Sequence, residues 1–176
     1  MSLEHKFCTV GADVTVTDGS VISGYASLFG QADQGGDTVL PGAYAGSLAQ
    51  GRQIKMLWQH DPAQPIGVWD EVREDDNGLW VKGRLLTDVA KGREAASLVT
   101  AGAIDGLSIG YRTVKSQKND KGGRLLSQLE LWEVSLVTFP MLHDARVAAK
   151  GDDPAAATMR GLAQAFDDAR RLMARD

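Results

Sequence analysis

IGVWDEVREDDNGLWVKGRLL, residues 66–86, is the stretch that decides the architecture. Its second half sets Leu79, Val81 and Leu85 in alternation with Trp80, Lys82 and Arg84. A period of two sends successive side chains to opposite faces, as a half-buried strand requires. Residues 66–72 form a matching β-like run, and EDDNG at 74–78 lies between the two. The Asn77-Gly78 pair suits the positive backbone angles of a tight hairpin turn. The core is therefore expected to grow from antiparallel strands adjacent in sequence.

Similar runs flank this hairpin. VISGYASLF at 21–29 and IKMLW at 54–58 precede it. LSIGYRTVK at 107–115 follows, then a polar glycine loop at 116–123, then LLSQLELWEVSLVTF at 125–139. Two helical segments interrupt the strands. Residues 41–50 open with Pro41, which suits a first helical turn. Residues 88–101 can be capped by Thr87 or Asp88 and stop at Gly102. Strands separated by turns, with few helices between them, favour a mainly β fold with flanking helices: a closed or nearly closed antiparallel β-barrel rather than a doubly wound sheet.

From Lys150 the composition changes. KGDDPAAAT reads as a linker, after which Met159, Leu162, Phe166, Ala169 and Met173 recur at helical spacing. Such a stripe packs on its own domain or on a partner. Its polar face mixes acidic and basic groups, which argues against a membrane surface. The expected organisation is an N-terminal extension and first strand at 1–19, a barrel domain at 20–149, and a linker with an amphipathic C-terminal helix at 150–176.

Composition limits the function. The 176 residues are 43% hydrophobic, enough for one domain with a real core. A formal net charge of −4 lacks the basic face of a nucleic-acid binder. The single cysteine, Cys8, can form no internal disulfide, so nothing suggests an oxidising compartment. The opening MSLEHKF lacks the apolar middle of a secretory signal, and no stretch is long and apolar enough to span a bilayer. A soluble, cytosolic protein is expected, with no nucleic acid and no membrane among its partners. There is no paired Cys or His at zinc-like spacing, no phosphate-binding GxxxxGK[ST] loop and no dinucleotide fingerprint. No metal and no cofactor are expected.

Hydroxyl, imidazole and carboxylate groups remain. In LSIGY, Leu107, Ile109 and Tyr111 share one strand face while Ser108 and Gly110 share the other, so Gly110 is expected to leave open space beside the Ser108 hydroxyl. A serine hydroxyl is a weak nucleophile until a neighbouring base takes its proton. Of the three histidines, His5, His60 and His143, His60 ends the run MLWQHDP, where a strand gives way to a proline turn. A bland reading has it capping that turn through Asp61. Glu133 stands in LWEVSLV among apolar neighbours, and a carboxylate so placed needs a partner, because burying a bare charge is costly. A histidine is one candidate partner; an arginine, or solvent at an edge strand, is another.

These segments resemble the prohead proteases of tailed bacteriophages, a family related in fold to the herpesvirus assembly proteases. The likeness runs over roughly residues 20–148, in four blocks kept in order. GYASLFG with GDTVLPGAYAGSL is similar to the family's opening. IKMLWQHDPAQPIG resembles its histidine block, GAIDGLSIGYR its serine block, and LWEVSLVTFP, trailed by DARV, its closing block. The resemblance implies a β-barrel of the herpesvirus-protease type, with Ser108 as nucleophile and His60 as general base. It places Glu133 at the third position, orienting His60 and stabilising its protonated form. Asp61 is the rival there, although a side chain adjacent to His60 is badly placed to reach its ring. Residues 140–144 correspond to the oxyanion loop of the herpesvirus enzymes and hold no arginine before Arg146, so the oxyanion donor stays open.

The function so implied is serine endopeptidase of capsid maturation. Its substrate would be the scaffold portion of the major capsid protein and the protease itself. It would act as a homo-oligomer inside the assembling procapsid, in the cytoplasm of a bacterial host. Two other readings compete. GLSIG also spells the G-x-S-x-G nucleophile elbow of α/β-hydrolases, and an esterase could use Ser108, Glu133 and His143 in that order. That elbow needs a strand before the serine and a helix after it, whereas strand-like Tyr111 to Val114 follows here. A non-enzymatic capsid or scaffold component with a β-barrel body is the third reading.

Overall fold

The computed structural model describes residues 4–7, 10–15, 20–33, 35–119, 122–139 and 145–148. In chain order the elements are β1 (Glu4–Phe7), β2 (Val10–Thr15), β3 (Val21–Leu28), β4 (Thr38–Val39), α1 (Ala45–Ala49), β5 (Lys55–Trp58), β6 (Asp61–Glu74), β7 (Gly78–Leu85), α2 (Ala90–Thr100), β8 (Gly106–Lys118), β9 (Arg124–Val137) and β10 (Ala145–Ala148). The stripe from Met159 to Met173, His143, Cys8 and the 140–144 segment lie outside the described residues.

The hairpin at 66–86 forms where the alternation places it. β6 and β7 pair antiparallel, with Leu79, Val81 and Leu85 buried and Lys82 and Arg84 exposed. The reason for Asn77-Gly78 differs from the expected one, since neither residue takes a positive φ. Asp75 Oδ1 instead accepts the N–H groups of Asn77 (2.9 Å) and Gly78 (3.2 Å), closing an Asx-type turn. Gly78 is required by crowding: a Cβ there would lie 2.0 Å from the carbonyl oxygen of Ser27 on the neighbouring β3.

One curled sheet carries the domain, in the order β1-β8-β9-β5-β6-β7-β3, with β4 also on β9; β10 and β2 form a separate parallel pair. The fold is mainly β with few helices, as expected. Two features of the expected barrel differ. Among the described strands no pairing joins β1 to β3, so the sheet is an open half-barrel and not a closed one. Nor is it wholly antiparallel, because β4 and β5 both run parallel to β9. The cause is α1: a helix between β4 and β5 returns the chain to the same edge in the same direction, as helical crossovers do. Between its pairings with β4 and β5, β9 keeps its bonds through the turn before α1 and through α1 itself. Leu129 N–H donates to Ala43 O and Leu131 N–H to Ser47 Oγ, both at 2.9 Å.

The helices begin later than the sequence suggests. Residues 41–44 are turns, not the first turn of α1, and the Glu74 carboxylate caps them by accepting the Gly42 and Tyr44 N–H groups. α2 starts at Ala90 with Val89 at its cap and no side-chain capping bond, so neither Thr87 nor Asp88 serves. Arg93 reaches back to the Thr87 carbonyl (3.0 Å). Gly102 ends α2 with φ of 69°, as expected of a glycine past a helix end.

One buried cluster forms the core. Leu107, Ile109, Tyr111, Leu131, Val134, Leu136, Met56, Ile66, Leu79 and Val81 are all buried there, with Ala95, Ala96 and Val99 of α2 packed on them. Ser108, Gly110, Glu133 and Ser135 are left for another environment. Among the described residues no helix is long and apolar enough to cross a membrane.

Candidate active site

Strand register brings the candidate residues together. β8 and β9 pair so that Ser108 faces Ser135 and Gly110 faces Glu133. On the other side of β9, β5 runs parallel, with Leu57 against Ser135 and Trp58 against Leu136. The chain then turns within two residues, because Trp58 already pairs with Asp61. The expected proline turn is therefore absent: β6 starts at Asp61 and runs through Pro62 and Pro65.

Gln59 and His60, the two residues of that turn, have φ of 51° and 63°. The left-handed region costs a side-chain-bearing residue roughly 1–2 kcal/mol, so the turn must be held from outside. Gln59 N–H donates to Leu136 O (2.9 Å) and His60 N–H to Ser135 Oγ (3.2 Å). The Gln59 side chain clasps Thr138, its Nε2 donating to Oγ1 at 2.6 Å. Strain held in this way is common at functional sites. Here it swings the imidazole back over β9 and β8.

The ring meets both partners. His60 Nε2 lies 2.6 Å from Ser108 Oγ, and His60 Nδ1 lies 2.5 Å from Glu133 Oε1. The second carboxylate oxygen, Oε2, accepts the Ser135 hydroxyl at 2.5 Å. A carboxylate accepting at Nδ1 fixes the proton there and leaves Nε2 to accept from the serine hydroxyl. Glu133, Ser135 and Ser108 are buried, the last with no exposed surface, while the His60 side chain keeps 13% exposure. Glu133 is therefore not a solvent-facing group of an edge strand, and its two oxygens meet His60 and Ser135.

Asp61 is engaged elsewhere. Its Oδ1 accepts Ala63 N–H (2.8 Å) and its Oδ2 accepts the Gln64 amide (2.7 Å), so its carboxylate serves its own turn and not the His60 ring. The nucleophile-elbow context is absent too: Ser108 is the third residue of a 13-residue strand, so strand and not helix directly follows it. The expectation of open space beside the hydroxyl at Gly110 is also corrected. That space holds the Glu133 carboxylate, since a Cβ on Gly110 would lie 2.1 Å from Oε1 and 2.7 Å from Cδ.

Sequence reasoning missed Ser135 and the Gln59–Thr138 clasp. Glu133 and Ser135 lie two apart on one strand face, which the sequence carries. That the same hydroxyl also meets His60 N–H depends on β5 lying parallel beside β9, and no local pattern reports it.

The arrangement can move a proton from a hydroxyl to an imidazole backed by a carboxylate, the arrangement of a serine nucleophile with its base and orienter. The chain is similar to several known proteins. The prohead protease of Enterobacteria phage HK97 is 34% identical over 133 residues, 73% of this chain and 59% of that protein, so the chain spans about three-fifths of its relative's length. Among solved structures, the bacteriophage T4 capsid assembly protease superposes with a TM-score of 0.64 at 15% identity, covering 79% of this chain and 98% of that one. The varicella-zoster virus protease superposes less fully, with a TM-score of 0.43 at 15% identity over 70% of this chain and 60% of that one. The family description "Caudovirus prohead serine protease" matches residues 9–166, nearly the whole sequence, and the chain belongs to that family.

Proposed function

We propose that this chain is a serine endopeptidase of capsid maturation that cleaves the scaffold portion of the major capsid protein, and itself, inside the assembling procapsid of a bacterial host. The observation that carries the reading is the His60 ring held between Ser108 Oγ at 2.6 Å and Glu133 Oε1 at 2.5 Å. In the proposed reaction Ser108 Oγ attacks the scissile carbonyl as His60 Nε2 takes its proton. Glu133 steadies the imidazolium. Collapse of the tetrahedral intermediate breaks the C–N bond, and His60 returns the proton to the leaving amine. A water activated by the same imidazole then hydrolyses the acyl-enzyme and frees the serine.

The capsid substrate and self-association are proposed from the family likeness; the HK97 relative is named a prohead protease and the T4 neighbour a capsid assembly protease. The test is co-expression of this chain with the capsid protein encoded beside it, followed by mass measurement of that protein. Wild type should shorten the capsid protein at a defined bond, and Ser108→Ala should leave it at full length. Equal shortening by Ser108→Ala would end the reading.

A further inference from the structure

We propose that Ser135 is a positioning residue of this site, a single hydroxyl that sets the Glu133 carboxylate and the His60 backbone together. The inference rests on the reading of Ser108, His60 and Glu133 as the reacting set and adds a fourth group to it. Ser135 is fully buried, and its Oγ makes two bonds. It donates to Glu133 Oε2 at 2.5 Å and accepts from His60 N–H at 3.2 Å.

The two bonds act on different parts of the same pair. A carboxylate held only through Oε1 can rotate about its last bond; one held through both oxygens cannot, so the Ser135 bond fixes the plane in which Oε1 meets Nδ1. The bond from His60 N–H restrains a residue whose φ is 63°, a conformation with no intrinsic preference to persist. Strand geometry gives the hydroxyl this double reach. Ser135 is two residues from Glu133 on the same face of β9, faces Ser108 on β8, and lies beside Leu57 on β5, three residues before His60. The bonds of its hydroxyl go to Glu133 Oε2 and the His60 N–H, so its influence on the reaction passes through those two residues. Groups that orient a reacting side chain from behind typically change activity about 10–100-fold when removed.

The test uses the full chain and a fluorophosphonate that labels an activated serine. Ser135→Ala should label at Ser108 about 10–100-fold more slowly than wild type and should move the far-downfield proton resonance of the His60 Nδ1–H. Ser135→Thr, which keeps the hydroxyl, should recover most of the rate. In the Glu133→Gln background the further change Ser135→Ala should cost clearly less than in wild type, because one of its two routes, the Glu133 carboxylate, is already altered while the bond to the His60 N–H remains. A labelling rate within about twofold of wild type, or losses that simply multiply in the double variant, would overturn the proposal and leave Ser135 a fold-stabilising residue. If Ser135→Ala gives no cooperative melt, Ser135→Cys replaces it, a near-isostere with a weaker donor, judged by the same rate and resonance. Equal labelling of Ser108→Ala and wild type would instead count against the reacting set; the Nδ1 proton then decides for Ser135, and an unmoved resonance in Ser135→Ala overturns it.

Discussion

Gly110 and Glu133 face one another across β8 and β9 so closely that a Cβ on Gly110 would lie 2.1 Å from Oε1. The carboxylate that holds His60 thus occupies the volume of the side chain Gly110 lacks. Gly110→Ala should displace Glu133 from the imidazole while leaving β8 paired. If the proposed reaction holds, its rate should fall on the order of a hundredfold, the cost of about 1 Å of misplacement at a reacting group. Steady-state rates beside a thermal melt check this; a full rate with an intact melt would mean that Glu133 does not need its present position.

The members of the site should rank by role. Ser108→Ala should lower the rate by on the order of a millionfold, and His60→Ala nearly as much. Glu133→Gln keeps nucleophile and base, and should cost about ten-thousandfold or less by weakening orientation and charge stabilisation. Asp61→Asn should be nearly silent, because the Asp61 carboxylate is bonded to Ala63 and Gln64. Single-turnover cleavage by the four variants gives the order directly.

Stability of the founding hairpin should depend on Gly78 more than on its turn partner. Gly78→Ala forces a methyl group to within 2.0 Å of the Ser27 carbonyl oxygen and should cost about 1–3 kcal/mol in urea unfolding, the usual range for overpacking. Asn77→Ala leaves its N–H on Asp75 and should cost much less.

The same turn should carry an acid-dependent share of stability. Burial alone would raise the Asp75 carboxyl, but the Asn77 N–H, the Tyr25 hydroxyl, Arg73 and the Gly78 N–H outweigh it and hold the group below its ordinary value of 3.8. A lowered value in the fold means the contribution is complete above the unfolded value of about 4 and is lost as pH falls through the lower folded one. Asp75→Asn should therefore destabilise the protein at pH 7, with the difference from wild type closing below about pH 4. A difference that persists unchanged into acid would assign the effect to something other than the carboxylate.

We propose that the cooperative unit ends with β10. Its last residue, Ala148, pairs with Thr15 of β2. Truncation after Ala148 should leave a single thermal transition; loss of that transition would place later residues in the core.

Local pattern settled a good deal here. Alternation in residues 79–85 gave the strand face, and the paired faces of Leu107, Ile109 and Tyr111 against Ser108 and Gly110 gave the core side of β8, because strand periodicity is a property of the backbone alone. The family resemblance implied a site at Ser108, His60 and Glu133, and the fold brings these three side chains within hydrogen-bond distance. What the sequence could not state was long-range register. The parallel course of β4 and β5 on β9, the open edge between β1 and β3, and the left-handed turn at Gln59 and His60 follow from how strands far apart in sequence lie side by side. The roles of Gly78, Gly110 and Ser135 belong to the same class. Each is decided by an atom from another strand: the Ser27 carbonyl, the Glu133 carboxylate and the His60 N–H. The amino-acid sequence determined which faces are apolar and which groups are candidates to react; only tertiary packing determined which of those groups meet, since hydrogen bonds act over about 3 Å while the residues they join here lie as many as 87 positions apart.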